Sequence, residues 1–229
     1  MNALLCLGIE TSGKTASAAV CDGERIIGES ILYTKLTHSQ VILPMVKKLL
    51  EDCCLTLSDI DRIAVANGPG SYTGLRIGIA AVKGMCMGLD CECCGVSTLM
   101  ALSYNVCAAK GTVLAVLKAR TDVYYLGGYE ADGDGVKCVF PDRVCSAQEL
   151  IEYAHSIDGD VIIVGDCCDE VKGLLGGMEN VRCAPPKDRL QRASSLCFAA
   201  MACEAVTPEM LNAAYLQETK AEKDKAHSP

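Results

Sequence analysis

The order of the predicted elements in the first hundred residues constrains the fold of this chain most. Alternating apolar segments come first, and Asp22-Gly23 between two of them is a strong signal for a β-hairpin. Apolar residues at helical spacing follow, each stretch leading into a further short strand. The predicted elements are strands at 1–10, 16–22 and 25–33, a helix at 39–53, a strand at 62–67, a helix at 73–89 and a strand at 91–96.

The remainder of the chain suggests that a second, similar unit follows. Its predicted elements are helices at 99–108, 147–155 and 194–205 and strands at 113–118, 123–130 and 161–164. Three antiparallel strands followed by helix, strand, helix and strand are the plan of one actin-like half. We therefore predict an α/β protein of the actin-like (ASKHA, ribonuclease H-like) fold, with two halves at 1–104 and 105–229, each a mixed sheet flanked by helices. The charged end from Gln217 to Pro229 is expected to be frayed.

Composition limits the classes of function. Half of the 229 residues are hydrophobic, and the formal net charge is -8. An acidic chain binds nucleic acid poorly by itself, because neutralisation of phosphates by Lys and Arg carries most of that affinity. If RNA is a substrate, a partner should supply the positive surface. The start of the chain lacks the pattern of a signal peptide and no apolar run approaches the roughly 18 residues of a membrane span, so a cytoplasmic protein without membrane contact is expected.

Sixteen cysteines and three histidines raise the question of a metal site. Cys91 and Cys94 form one CxxC pair, but no second pair stands at ligand spacing. Residue 42, one helical turn after His38, is isoleucine, so there is no HxxxH pair. Most cysteines occupy positions where an apolar residue is expected, and the sequence favours small hydrophobic side chains over metal ligands.

The stretch Gly8–Thr15 matches the Walker A pattern GxxxxGK[ST] letter for letter. A P-loop needs a helix that begins at the lysine, so that backbone amides and the helix dipole hold phosphate. Asp22-Gly23 closes a hairpin within eight residues of Lys14, which leaves no room for that helix. A β-turn is therefore favoured. Actin-like ATPases bind phosphate in the corresponding turn, but Glu10 stands here where those proteins have an aspartate, so a phosphate contact and a simple turn both remain open.

An ordered run of glycines and hydroxyl residues at Asn67–Gly78 is the most informative motif. It predicts a strand end, a Gly-Pro-Gly turn and a helix with Thr73 as N-cap. Free amides at such a helix start can hold an anion. The candidate nucleotide or anion contacts from both turns are Thr11, Ser12, Gly13, Gly68, Gly70 and Ser71.

The same run carries a family resemblance. GPGSYTGLRIG at 68–78 resembles the signature of the TsaB (YeaZ) family, related to TsaD and to the glycoprotease/M22 group, and LGIETSGKTASAAV at 7–20 resembles its opening strand and turn. Similar segments include His38-Ser39-Gln40 before Leu43-Pro44, Lys118-Ala119-Arg120 through Val123-Tyr124, and Ala214-Tyr215-Leu216. The chain departs from the family at Lys118, Val123, Ala214 and Gln217.

This resemblance implies a non-catalytic partner that heterodimerises with TsaD in making threonylcarbamoyl-adenosine on tRNA. It implies that TsaE, a P-loop ATPase, joins the pair, that tRNA is met through the complex, and that no catalytic residue or firmly bound cofactor is present. An ATP or ADP contact within the complex and a homodimer of the isolated chain are compatible with it. The alternative is an active ATP-dependent phosphotransferase or NTPase of the actin-like superfamily, for which the second half offers no glycine-containing phosphate turn.

Two helices offer a candidate partner surface. On the helix at 73–89, bulky apolar residues form one stripe and small residues form another, which suits either close packing within the fold or a partner interface. Apolar residues on the helix at 39–53 cover about 200°, wider than the roughly 100° of an ordinary surface helix, so part of that arc is expected to face another protein. The predicted interface residues are Val41, Met45, Leu49, Gly74, Ile77, Gly78, Ala81, Gly84, Met85 and Gly88.

Overall fold

Two mixed five-stranded sheets organise the chain in the computed structural model, which describes residues 4–23, 25–89 and 91–216. The first sheet holds β1 (Cys6–Glu10), β2 (Thr15–Cys21), β3 (Ile26–Tyr33), β4 (Arg62–Gly68) and β5 (Glu92–Ser97). The second holds β6 (Gly111–Arg120), β7 (Val123–Ala131), β8 (Val136–Ser146), β9 (Val161–Val164) and β10 (Val181–Cys183). Their orders, β3-β2-β1-β4-β5 and β8-β7-β6-β9-β10, are the same plan used twice. The predicted pair of similar α/β halves is therefore confirmed.

Within the described residues, six α-helices flank these sheets. They are α1 (His38–Asp52), α2 (Tyr72–Met87), α3 (Thr98–Tyr104), α4 (Ala147–His155), α5 (Cys168–Leu174) and α6 (Ala193–Ala200). Because successive residues of a strand point to opposite faces, Leu7 and Ile9 of β1 join the core under α1 and α2, while Cys6 joins a second core under α6. The first sheet is thus covered on both sides.

Three elements are absent from the prediction. Strand β8 lies at the edge of the second sheet and contains Pro141, and its partly exposed residues do not alternate cleanly between apolar and polar. Strand β10 has three residues, and α5 has seven, including Gly173. Such short segments carry too few residues to show a period. The helix predicted at 99–108 begins one residue earlier and ends at Tyr104.

The later part of the chain returns to the first sheet. Helix α6 packs on β1 and β2, and residues 206 and 214 bond to strand or turn residues of the first half, Val206 with Cys93 and Ala214 N–H with the Asn67 carbonyl at 2.7 Å. The division at 104/105 stays a prediction. These contacts show that part of the chain after residue 105 packs on the first sheet. The predicted fraying of Gln217–Pro229 lies outside the described residues.

The cysteines are free thiols, and Cys6, Cys86 and Cys197 are buried among apolar side chains as predicted. Within residues 4–23, 25–89 and 91–216 there is no group of three His, Cys, Asp or Glu side chains placed to hold a metal ion. No helix in the described part of the chain has the length and apolar composition that a membrane crossing requires.

Candidate functional site

The turn after β1 is a hairpin turn. Strand β2 begins at Thr15 and pairs antiparallel with β1, with Glu10 opposite Ser17. No helix starts at Lys14, so the element that would aim amides and a helix dipole at a phosphate is missing from this position. The hairpin interpretation of the Walker-like letters is confirmed.

Glu10, the last residue of β1, is fully buried at the base of this turn. The Ser12 backbone N–H donates to its Oε1 at 2.5 Å, while Oε2 has no hydrogen-bond partner. Burial raises the pKa of Glu10 from 4.5 to about 7, and the hydrogen bonds from Ser12 oppose that rise only in part. The Glu10 carboxyl therefore titrates near neutral pH, because its burial in the folded chain favours the protonated, neutral acid.

The start of α2 packs directly on the turn. Thr11 Oγ1 donates to the Gly74 carbonyl at 2.8 Å, and the Ser71 N–H donates to the Ser12 carbonyl at 2.7 Å. The N-cap is Ser71, whose Oγ accepts from the Gly74 N–H at 3.2 Å. The prediction of Thr73 as N-cap is wrong by two residues, because the helix already starts at Tyr72.

A cleft of about 290 Å³ between the two sheets receives part of the predicted anion set. Its lining residues are Ser12, Gly13, Lys14, Gly70, Ser71, Leu117, Lys118, Ala119, Tyr125, Asp166 and Gln191. Two members of the set point elsewhere. The Thr11 hydroxyl faces α2, and a β-carbon at Gly68 would meet the carbonyl oxygen of Ala214, so neither residue lines the cleft.

The cations of the cleft are already paired. Lys14 Nζ lies 3.2 Å from Asp166 Oδ2, and Lys118 Nζ lies 2.7 Å from Glu170 Oε2. The amide of Ser12 is bound by Glu10. A phosphate would have to displace these partners, and at 290 Å³ the cleft is at the small end of ordinary ligand pockets. The anion contact through Ser12, Gly13, Gly70 and Ser71 stays a prediction.

Helix α1 buries more of its apolar arc than expected. Val41, Met45 and Leu49 are all in the core of this chain, where they pack with residues of β2 and β3. Because these side chains are covered within the chain, they have little exposed area, and their assignment to a partner interface stays a prediction. Leu43 is the bulky residue of α1 left outside, at 51% exposure.

The small-residue stripe of α2 splits into two parts. Gly74 and Gly78 are buried, and a β-carbon at either would overlap Thr11, so close packing within the fold accounts for these two. Gly84 is exposed, and within the part of the chain that the structure describes a β-carbon there would have no neighbour within 4 Å. Gly88, at the C-terminal end of the helix, is exposed as well.

Exposed and partly exposed residues of the two helices define what we call the α1–α2 surface. Its residues are Leu43, Ile77, Ala81, Gly84, Met85 and Gly88. The α2 members recur at i, i+4, i+7, i+8 and i+11, so they share one helix face. Leu43 and Met85 border a groove of about 330 Å³ with mostly apolar walls, which Val46, Leu50, Leu55 and Leu57 complete.

The sequence did not indicate that Gln191 lies in the cleft. Gln191 fills the space beside Gly13, with its carbonyl accepting from Thr15 Oγ1 at 2.9 Å, and Asp166 follows β9 through Gly165. A Gly-Asp pair directly after a buried strand is the one local signal that points to Asp166. Tyr215, noted through its motif alone, stacks on Tyr72 with ring centroids 5.0 Å apart.

Known proteins with similar sequences and structures indicate the family of this chain. Residues 32–194 match the family described as "TsaD: tRNA N6-adenosine threonylcarbamoyltransferase". The "tRNA threonylcarbamoyladenosine biosynthesis protein TsaB" of Bacillus subtilis is 31% identical over 223 residues, covering 94% of this chain and 95% of that protein. The solved structure of YeaZ from Pseudomonas aeruginosa has a TM-score of 0.79 at 26% identity and covers 93% of this chain and 100% of that one.

A more distant structure confirms the fold class. The (R)-2-hydroxyglutaryl-CoA dehydratase component A of Acidaminococcus fermentans, an actin-like protein, superposes with a TM-score of 0.51 at 11% identity. It covers 87% of this chain and 97% of that one. At that identity the likeness concerns the fold alone, and the predicted actin-like architecture is confirmed.

Proposed function

The chain belongs to the TsaB family, and from that premise we propose that it acts in tRNA threonylcarbamoyladenosine biosynthesis as a non-catalytic subunit. In this role it heterodimerises with TsaD, the threonylcarbamoyltransferase of the pathway, and supports that enzyme without carrying out chemistry itself. The α1–α2 surface is the contact. One observation carries this assignment: an open helix face at Gly84 lies beside an apolar groove at Leu43 and Met85.

The shape of this surface supports a helical partner. Because Gly84 has no side chain and no neighbour, the backbone of another helix can approach α2 closely there. Leu43, which borders the groove together with Met85, offers apolar area that a monomer leaves in water. Lys47 and Glu51 at the groove rim lie 4.0 Å apart and offset each other's charge. The surface therefore favours apolar contact over electrostatic attraction.

The charge of the chain supports an indirect role towards RNA. With a net charge of -8, it is poorly suited to hold tRNA alone, so the tRNA contact is assigned to its partners in the complex. TsaE joins the pair, and an ATP or ADP contact arises within the assembly rather than in the isolated chain. In the absence of TsaD the α1–α2 surface is available for self-pairing. The proposal places the protein in the cytoplasm, with its tRNA substrate.

The decisive test compares two glycine substitutions that differ in location. Gly84→Trp adds a large side chain to the α1–α2 surface, where a β-carbon would have no described atom within 4 Å. Gly173→Trp is the matched control, since Gly173 lies on α5 and its β-carbon also would have no neighbour within 4 Å. Both variants should fold, as judged by circular dichroism and thermal unfolding.

Co-purification with the TsaD of the same organism and formation of threonylcarbamoyl-adenosine on tRNA are then measured for each variant. We expect Gly84→Trp to lose the complex and the modification, and Gly173→Trp to keep both. If Gly84→Trp co-purifies as well as Gly173→Trp does, the α1–α2 surface is not the contact. If the wild-type chain neither binds TsaD nor stimulates modification, the functional proposal itself fails.

A further inference from the structure

A pair of thiols sits at the C-terminal end of α2. The Cys91 thiol donates to Cys86 Sγ with the sulfurs 3.5 Å apart. Cys86 is the second-last residue of α2, and Cys91 directly precedes β5, so the pair spans the turn that joins them. The CxxC spacing in the sequence paired Cys91 with Cys94, but the two lie against different cores: Cys91 packs against the core under α1 and α2, and Cys94 lies in the core under α6.

The two thiols differ in their access to solvent. Cys86 is 3% exposed and packs in the core beneath α1 and α2, whereas Cys91 is partly exposed. Burial and the neighbouring cysteines raise the pKa of the Cys86 thiol well above its usual value. A small reagent therefore meets Cys91 first, and Cys86 lies behind it in position for a second step.

The geometry permits a covalent bond between them. A disulfide has sulfurs about 2.05 Å apart, so closing the pair requires a movement of about 1.5 Å. Two of the residues between the cysteines, Met87 at the end of α2 (81% exposed) and the exposed Gly88 after it, offer little packing to oppose such a shift.

We propose that Cys86 and Cys91 form a redox-active dithiol that a low-molecular-weight disulfide, such as oxidised glutathione, converts to an intramolecular disulfide. Cys91 first loses its proton to solvent and attacks one sulfur of the oxidant, which leaves a mixed disulfide on Cys91 and releases one glutathione thiolate that takes up a proton. Cys86 then loses its proton to solvent and attacks Cys91 Sγ, which expels the second glutathione. Two protein thiols are oxidised and one glutathione disulfide is reduced to two thiols.

This dithiol is independent of the partner-binding proposal, although Met85 next to it belongs to the α1–α2 surface. The bond would tie the end of α2 to the start of β5. Because a thiol of high pKa is a poor leaving group, the bond should reopen slowly once formed.

The sequence allows the bond to be located directly. Trypsin releases the segment between Lys83 and Lys110, which contains both cysteines. Cleavage before Asp90 separates Cys86 from Cys91, and cleavage after Glu92 separates Cys91 from Cys93. The reduced full-length chain is incubated with oxidised glutathione, its remaining thiols are trapped by alkylation, and the digest is analysed by mass spectrometry with and without reductant.

We expect a reducible link between the Cys86 and Cys91 peptides, lighter than the sum of the two by the mass of two hydrogens. Cys91→Ser should abolish the link, whereas Cys94→Ser should leave it intact. The exposed thiols Cys54 and Cys138 serve as internal controls and should carry glutathione adducts.

Any of three results would overturn the proposal. Under conditions in which Cys54 and Cys138 carry adducts, Cys86 and Cys91 could stay fully alkylated, or Cys91 could retain glutathione. The third result is a link from Cys86 to Cys93 in place of Cys91.

Discussion

Replacing Glu10 with glutamine should change how the stability of the chain depends on pH. A carboxyl whose pKa is raised on folding binds its proton more tightly in the native state than in the unfolded chain. The contribution of Glu10 to the free energy of unfolding is therefore complete below the pKa that this carboxyl has in the unfolded chain. That contribution is lost as the pH rises through the pKa that the carboxyl has in the folded chain. Glu10→Gln keeps an acceptor for the Ser12 N–H and cannot ionise, so the variant should lack this loss.

The magnitude follows from the two pKa values. Burial raises the pKa of Glu10 from 4.5 to about 7. Integrating proton binding between those values, the wild-type chain should lose about 2.5 kcal/mol of unfolding free energy, relative to Glu10→Gln, between about pH 5 and about pH 8. For a chain of this size that corresponds to a difference in Tm of about 5–10 °C.

The assay is chemical denaturation of the wild-type and variant chains at a series of pH values. All other titrating groups are common to both, so the difference between the two unfolding free energies isolates residue 10. Glu130→Gln, at an exposed carboxylate on β7, is the control and should leave the wild-type pH dependence unchanged. A wild-type minus Glu10→Gln difference that stays constant with pH, or that favours the wild type increasingly at high pH, would refute the reasoning.

Further predictions concern other parts of the structure. Glu29 accepts hydrogen bonds from Arg192 and from the Ser194 N–H, and these contacts lower the pKa of Glu29 although its burial acts in the opposite direction. Glu29→Gln should therefore lower the free energy of unfolding by about 1–3 kcal/mol at neutral pH. Denaturation curves should show this deficit shrinking as the pH falls below about 4. Gly78→Val should destabilise the fold in the same assay by about 1–3 kcal/mol, because its β-carbon would overlap the Thr11 side chain, whereas Gly84→Ala should stabilise it by up to about 1 kcal/mol. The isolated chain should show no ATP turnover in a phosphate-release assay; turnover that Lys14→Ala abolishes would instead favour the phosphotransferase alternative.

Local signals in the sequence were enough to predict most of the first sheet. The Asp22-Gly23 turn fixes the β2–β3 hairpin, and the buried stripe Leu75, Ile79, Val82 and Cys86 shows the core face of α2 directly. Those features depend on residues close together in the chain. Strand β8 could not be predicted in this way, because its pairing with β7 supplies an order that its own composition, with Pro141 and several charges, does not indicate.

The candidate site shows where sequence reasoning stops. The turn at Thr11–Lys14 and the start of α2 were predicted to lie at strand ends, and they do. That Lys14 meets Asp166 and that Gly13 faces Gln191 depends on contacts between residues more than 150 positions apart. No periodicity or spacing encodes such contacts, so the sequence could not show that the lysines of the cleft are paired with carboxylates.

The small-residue stripe of α2 explains why a single pattern supported two interpretations. Periodicity places Gly74, Gly78 and Gly84 near one another around the helix, but it cannot say what faces each end. At the N-terminal end the facing group is Thr11 of the same chain, which needs the space that Gly74 and Gly78 leave. At the C-terminal end, no atom of the described residues lies within 4 Å of a β-carbon placed at Gly84. A helix-interior glycine lowers stability by up to about 1 kcal/mol relative to alanine. At Gly78 close packing against Thr11 offsets this loss, whereas no such contact offsets it at Gly84. Contact with another protein is the compensation that the α1–α2 surface can supply.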